Sequence, residues 1–153
     1  MNQEAVVLEH YTESVQPEWI DYNGHMSEAY YVLVFGNASD ALYEQIGVGV
    51  DYRQAHRISV YTVEAHIRYL REVGPDSVLL IATRVLGVDA KRVHFCHEMY
   101  VESALVATEE LLGVCVNTVA GRGIALPDGA VAALAKVVTS ERPEYAGRSV
   151  VFG

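Results

Sequence analysis

The residues from Glu28 to Ile46, EAYYVLVFGNASDALYEQI, constrain this chain more than any other stretch. They show no strand-like alternation and are too many for one strand, so they read as a helix. That helix is apolar over most of its circumference, with polar positions thinning to Asn37, Ser39, Asp40, Glu44 and Gln45, which implies burial on nearly all sides. Something must wrap around it. Four strand candidates follow, at Ile58 to Glu72, Ser77 to Leu86, Arg92 to Glu102 and Leu105 to Val119. Gly74-Pro75-Asp76, Val88 to Lys91 and Glu102-Ser103-Ala104 supply the turns between them. Long consecutive strands joined by short turns predict an antiparallel sheet, and one sheet curled around one central helix buries both, an α+β architecture.

The flanking segments fit that plan. Ala5 to Val15, rich in Val, Leu, Tyr and Thr, predicts a strand stopped by Gln16-Pro17, and a loop with Gly49, Asp51 and His56 leads from helix to sheet. Pro127-Asp128-Gly129 opens a short helix over AVAALAKVV, while the tail from Arg142 to Gly153 carries no clear signal. With 153 residues, 51% of them hydrophobic, the chain has the material for one sizeable core, so a single domain over 1–153 is expected. A curled sheet leaves open edges. Pairing of edges between copies would close them, so a homodimer or a dimer of dimers is expected.

Twenty acidic against eleven basic side chains give a formal charge of −9. Such a chain repels phosphate backbones and anionic bilayer surfaces, so neither nucleic acid nor a membrane is an expected partner. The strongest apolar run, Ala29 to Gly36, is far shorter than the ~20 residues of a bilayer span. The stretch MNQEAVVLEH holds acidic residues and no basic region, unlike a signal peptide. Cys96 and Cys115 both lie in apolar stretches, where small buried thiols are expected rather than a disulfide framework, and a cytoplasmic location fits. His94-Phe95-Cys96-His97 has the look of a metal cluster. On a strand, however, His94 and Cys96 share one face and His97 points to the other, so no metal is expected.

On the strand from Ile58, alternation assigns Tyr61, Val63, Ala65, Ile67 and Tyr69 to the face that meets the helix, and Thr62, Glu64, His66 and Arg68 to the other. Thr62 to Arg68 would ordinarily be solvated. Glu64 and His66 would need partners if this strand lay at a seam between two copies.

The order of elements, with Asp21-Tyr22-Asn23-Gly24-His25-Met26 leading into the buried helix, resembles the hot-dog fold thioesterases related to 4-hydroxybenzoyl-CoA thioesterase. The resemblance runs from Val6 to about Leu134. Within it, the stretches from Trp19 to Met26 and from Tyr61 to Leu70 are more narrowly similar to the betainyl-CoA thioesterases of carnitine and betaine catabolism, which also occur fused to carnitine dehydrogenase. In the wider family a D-x-D-x-x-G-H-V-N pattern precedes the helix, and the Asp three residues before the Gly is the catalytic carboxylate. The resemblance places that role on Asp21. Trp19 stands where the family has its first Asp, and Met26-Ser27-Glu28 where it has V-N-N. The implied activity is hydrolysis of a small acyl-CoA, most narrowly betainyl-CoA, to the free acid and coenzyme A, without a cofactor.

Thioester cleavage requires a base or nucleophile beside preorganised donors for the developing oxyanion. Asp21 would supply the first, either as nucleophile or as general base on water. Backbone amides of His25, Met26, Ser27 or Glu28 at the helix start would supply the second, with Gly24 allowing close approach. Taken alone, Asp21 and Asn23 would equally be turn formers, and His25 a residue satisfying loop carbonyls. A trimethylammonium acyl group donates no hydrogen bond, so its pocket should offer aromatic faces and a carboxylate. Trp19, Tyr22, Tyr30 and Tyr31 surround the catalytic segment, and Glu64 with His66 could supply the polar side; Tyr30 and Tyr31 also fit a plain core role. For the phosphates of coenzyme A the candidates are Arg92 and Arg122, with Lys91 and Arg148, though each alone reads as a surface charge. Two other readings keep the same residues: an acyl-thioester hydratase or dehydratase, and a non-enzymatic acyl-CoA-binding module.

Overall fold

The computed structural model describes residues 7–152. Ala5 and Val6, where the sequence places the start of the first strand, lie outside the described residues, as do the opening residues of MNQEAVVLEH and Gly153 of the tail. The elements run β1 (Leu8–Ser14), a short 3-10 turn (Pro17–Trp19), α1 (Glu28–Gln45), α2 (Val50–His56), β2 (Ile58–Tyr69), β3 (Val78–Val88), β4 (Arg92–Val101), β5 (Ala104–Asn117), β6 (Arg122–Gly123) and α3 (Asp128–Ala135). The long helix, the four long strands and the short final helix therefore stand where the sequence puts them. The segment read as a loop after α1 contains α2 instead. Seven residues are too few to display helical periodicity, and the helix is stopped by Arg57 in the left-handed region at φ 53°.

The strands form one antiparallel sheet in the order β1-β3-β4-β5-β2, with β6 paired to the end of β5. Tyr31, Val34, Phe35, Ala38, Leu42 and Tyr43 recur along α1 at intervals of three and four and form its buried face. Leu79, Ile81, Met99 and Ala107 receive one end of that face; Val85, Phe95 and Leu111 receive the other. Each fully buried side chain of this size contributes roughly 1.5–3 kcal/mol. The amino-terminal strand is tied to the helix by Asn37 Nδ2, which donates to Glu13 Oε2 at 3.0 Å.

Enclosure on nearly all sides, expected from the apolar circumference of α1, is not reached. Val32 and Leu33 are 43% and 46% exposed, because one curled sheet covers one side of a helix and leaves the other open. A second departure lies in β2. A bulge between Thr62 and Glu64 breaks the period of two, so Ile58 and Val60 point inward before it while Ile67 packs inward after it. Tyr61 and Val63, expected to meet the helix, are turned out, at 52% and 58% exposure.

One row across the inner face of the sheet is polar. Thr83 of β3 is paired with His97 of β4, His97 with Glu109 of β5, and Glu109 with Ile67 of β2. His97, fully buried and stacked on Phe35, has both ring nitrogens engaged: Nδ1 lies 2.7 Å from Thr83 Oγ1 and Nε2 lies 2.8 Å from Ser39 Oγ on α1. His10 of β1 extends the chain, its Nε2 being 2.6 Å from Thr83 Oγ1. The outer face is crossed by the segment after α3. Thr139 N donates to Val85 O at 2.9 Å, and Gly147 N donates to Glu110 Oε1 at 2.8 Å. This strap sets a half-buried Tyr145 beside Cys96, whose thiol burial pushes up to about 12. Both cysteines are buried and free, as the sequence implies.

Candidate active site

The segment before α1 folds as a tight hairpin for reasons local to its sequence. Asn23 N donates to Asp21 Oδ1 at 2.8 Å, Gly24 N donates to Asp21 O at 2.9 Å, and Gly24 takes a φ of 77° that few other residues adopt. Asp21 N donates to His25 O at 3.0 Å and Ser27 N to Trp19 O at 2.9 Å, which closes the hairpin. Met26 is buried, and its amide donates to Val73 O at 2.8 Å, fastening the hairpin to the loop after β2. Asn23 thus contributes its backbone amide to the turn, with its side chain exposed.

These bonds sort the candidate oxyanion donors. The amides of Met26 and Ser27 are occupied. Ser27 stands at the cap position of α1, but its hydroxyl makes no capping bond, so the amides of Glu28 and Ala29 in the first helical turn face outward without an acceptor among the described residues. They carry the positive end of the helix dipole. Asp21 keeps one carboxylate oxygen, Oδ2, outside the turn, and Asp21 is among the residues lining an open groove of about 1100 Å³ with Asn23, His25, Met26, Glu28 and Tyr31. The opposite wall is Tyr69, at the end of β2, with Leu70, Arg71 and Glu72 of the loop after it. His25 points across the groove, its Nε2 being 3.3 Å from Glu72 Oε2.

The aromatic cluster expected around this segment does not assemble as read. Trp19 is buried in the core and stacks on Tyr30 with centroids 5.3 Å apart, so both serve packing at the foot of α1. Tyr22, at the hairpin tip, is 97% exposed. Neighbours in sequence point apart in a hairpin, which proximity along the chain does not reveal. The groove takes its aromatic faces from Tyr31 and Tyr69 instead, which meet edge to face at 5.2 Å; the Tyr31 hydroxyl donates to Arg71 O at 3.1 Å.

Glu64 and His66 are not brought to Asp21 within one protomer. Beyond the β2 bulge they face the outer side of the sheet and line a separate pocket of about 360 Å³ with His94, Glu110 and Arg148. As alternation predicts, His94 faces that outer pocket while His97 lies in the inner-face polar row. Arg92 is held by Asp89 in the β3–β4 turn, its Nε donating to Asp89 Oδ2 at 2.7 Å, and Arg122 lies exposed on β6; neither lines the groove. Arg71 does, although as a lone arginine beyond a strand it carries no sequence signal that sets it apart from a surface charge.

Glu109 was also passed over. It is 6% exposed, makes no hydrogen bond or ion pair among the described residues, and burial pushes its carboxyl up to about 7. Its signal was present in the alternation of β5, where Ala107, Glu109, Leu111, Gly113 and Cys115 share the inner face and Glu109 is the one charge among them.

Comparison with known proteins places these features in a family. Residues 15–134 match the thioesterase-like superfamily, which is more than half of the chain. The chain is 41% identical over 109 residues to a betainyl-CoA thioesterase of Pseudomonas aeruginosa, the match covering 69% of each. It is 43% identical over 136 residues to an L-carnitine dehydrogenase/betainyl-CoA thioesterase of Agrobacterium fabrum, where the match covers 86% of this chain and only 28% of that longer protein. Among solved structures, a Staphylococcus aureus protein in complex with CoA superposes with a TM-score of 0.86 at 25% identity, covering 100% of this chain and 98% of its own. The set of structural neighbours fixes the fold as a sheet curled on a helix, the α+β arrangement inferred from the sequence.

Proposed function

The chain belongs to the thioesterase-like superfamily, and from that premise we propose that it hydrolyses betainyl-CoA to betaine and coenzyme A. The observation that carries this reading is the Asp21 carboxylate on the wall of a groove that also holds the uncapped start of α1. In the general-base form, Asp21 takes a proton from water, the resulting hydroxide adds to the thioester carbonyl, and the carbon–sulfur bond breaks as the thiolate leaves. In the nucleophilic form the carboxylate itself adds, and water then opens a mixed anhydride. Both forms place a negative oxygen where the Glu28 and Ala29 amides can hold it, an arrangement worth about 10²–10³ in rate per donor.

Asn23 and Gly24 fix the turn that presents Asp21, Met26 anchors it, and His25 borders the acyl site. Tyr31 and Tyr69 offer a trimethylammonium group their ring faces, which attract a cation without needing a hydrogen bond. Arg71 is the groove's own cation for the coenzyme's phosphates, with Arg122 and Arg92 as outlying ones. We read residues 1–153 as one domain that works as a homodimer. The open side of α1, with Val32 and Leu33, and the outward Tyr61 and Val63 on the unpaired edge of β2 are apolar surfaces that a second copy would cover. Such pairing would also bring Glu64 and His66 to a seam. The two buried free thiols fit a reducing compartment such as the cytoplasm.

The test is release of free thiol from betainyl-CoA by the parent and by Asp21→Asn. The variant keeps the Asx turn's acceptor oxygen and should lose at least about 100-fold in rate. Equal rates would remove Asp21 from the chemistry, and no thiol release by the parent from any acyl-CoA would end the thioesterase reading.

A further inference from the structure

The polar row on the inner face of the sheet ends in a carboxylate, Glu109, that has no bonding partner among the described residues. His97 is the cross-strand neighbour of Glu109 on β4, but both its nitrogens are occupied by Ser39 and Thr83. On the other side the neighbour is Ile67, which offers no donor. Tyr43 of α1 and Tyr69 of β2 are the remaining titratable groups whose electrostatics it touches, and burial raises the pKa of both, keeping them neutral. His97 is held neutral by burial, and Arg53, beside Tyr43, is paired with Asp40 at 3.5 Å. A buried carboxylate costs several kcal/mol unless a cation or a set of donors meets it, and among the described residues none does.

The row's unfilled end is joined to the groove through Tyr69, the next inward-facing residue of β2 after Ile67. Glu109 is two residues along β5 from Ala107, the partner of Tyr69, and Tyr69 both feels the charge of Glu109 and lines the Asp21 groove. Glu109 also retains a sliver of exposure, so it is not sealed in the core. We infer that Glu109 is the counter-charge for the cationic acyl group of the substrate, set beside the Tyr69 ring. This rests on the thioesterase reading and deepens it: the residue selects a quaternary ammonium acyl group over a neutral one of the same shape. A quaternary ammonium has no N–H, so a carboxylate that lacks hydrogen-bonding neighbours and sits beside an aromatic face is the environment that recognises it.

The experiment compares kcat/KM for betainyl-CoA and for its uncharged isostere tert-butylacetyl-CoA, in the parent and in Glu109→Gln. Glutamine keeps the shape and removes the charge. The expected result is a loss of about 100-fold on betainyl-CoA with the isostere unchanged or improved. In the parent, kcat/KM for betainyl-CoA should also rise through pH 7 as the carboxyl ionises, a rise absent with the isostere and absent in the variant. A loss of the same size on both substrates, or no loss, overturns the assignment of Glu109 while leaving the thioesterase standing. A parent that hydrolyses the isostere and other acyl-CoAs but not betainyl-CoA overturns it as well, through the substrate.

Discussion

Removing one hydroxyl, Ser39→Ala, should destabilise the fold by an amount set by the direction of a single chain of hydrogen bonds. Ser39 has one hydrogen and donates it to Phe35 O at 3.1 Å, so its 2.8 Å contact with His97 Nε2 must be one it accepts. His97 is fully buried and its pKa falls to about 3, so it carries one ring hydrogen, on Nε2, and Nδ1 accepts from Thr83. Thr83 in turn accepts from His10 Nε2. In Ser39→Ala the His97 Nε2–H faces a methyl group. Moving the hydrogen to Nδ1 gives no relief: Thr83 must then donate to His10 Nε2, and the His10 hydrogen moves to Nδ1, which is buried and without a partner among the described residues. Either way one buried donor is stranded, at roughly 1–3 kcal/mol. For a domain of this size each kcal/mol moves the melting temperature by about 2–4 °C, so a loss of about 2 kcal/mol lowers it by about 4–8 °C. Calorimetry or circular dichroism melts of parent and variant measure this directly. A melting temperature within about 1 °C of the parent would refute the derived direction of the chain.

Three other outcomes follow from packing and charge. His97 has a folded pKa depressed to about 3 against an unfolded value near 6.5, so its contribution is lost as pH falls below 6.5; Glu109, raised to about 7, has the opposite sign and gains stability as pH falls from 7 toward its unfolded value. Glu109→Gln removes the compensating half, so its urea midpoints should fall more steeply than the parent's between pH 6 and pH 5, by up to about 1.4 kcal/mol per pH unit; parallel curves would contradict the opposed pair. In Gly113→Ala the new methyl would meet Val60 Cγ1 at 2.9 Å and both the Tyr43 hydroxyl and Val93 Cγ1 at 3.2 Å, so we expect a loss of about 1–3 kcal/mol in denaturant unfolding, and a neutral substitution would show that this corner of the core yields. Val63→Lys on the β2 edge should shift sedimentation toward a smaller species at equal concentration, and an unchanged sedimentation coefficient would rule out that edge as a seam.

The long elements were legible because their signals are long. α1 declares itself by length and by the three-and-four spacing of Tyr31, Val34, Phe35, Ala38 and Leu42, and β3 to β5 by apolar runs between turn formers such as Gly74-Pro75-Asp76. The hairpin with Asp21 was legible because Asp, Asn and Gly each have a local reason to turn. What the sequence concealed arises from single residues changing a phase. The Thr62–Glu64 bulge shifts the phase of β2, so Tyr61 and Val63 face outward against the alternation while Glu64 and His66 keep the outer face that the alternation gives them. Trp19 and Tyr22 looked like a cage because they are close along the chain, yet one is buried in packing and the other stands in solvent. Glu109 was legible in principle from the period of two on β5, but only a neighbour already engaged elsewhere, His97, makes it unusual, and that requires the pairing of strands.

The strap laid over the outer face gives the molecule an internal clock of its own loosening. Cys96 is fully buried with Tyr145 of the strap beside it, on a strand whose other side belongs to the core. A thiol reagent reaches that sulfur only in molecules whose carboxy-terminal segment has lifted. The rate of Cys96 labelling under native conditions therefore counts those excursions, independently of whether the rest of the sheet has come apart.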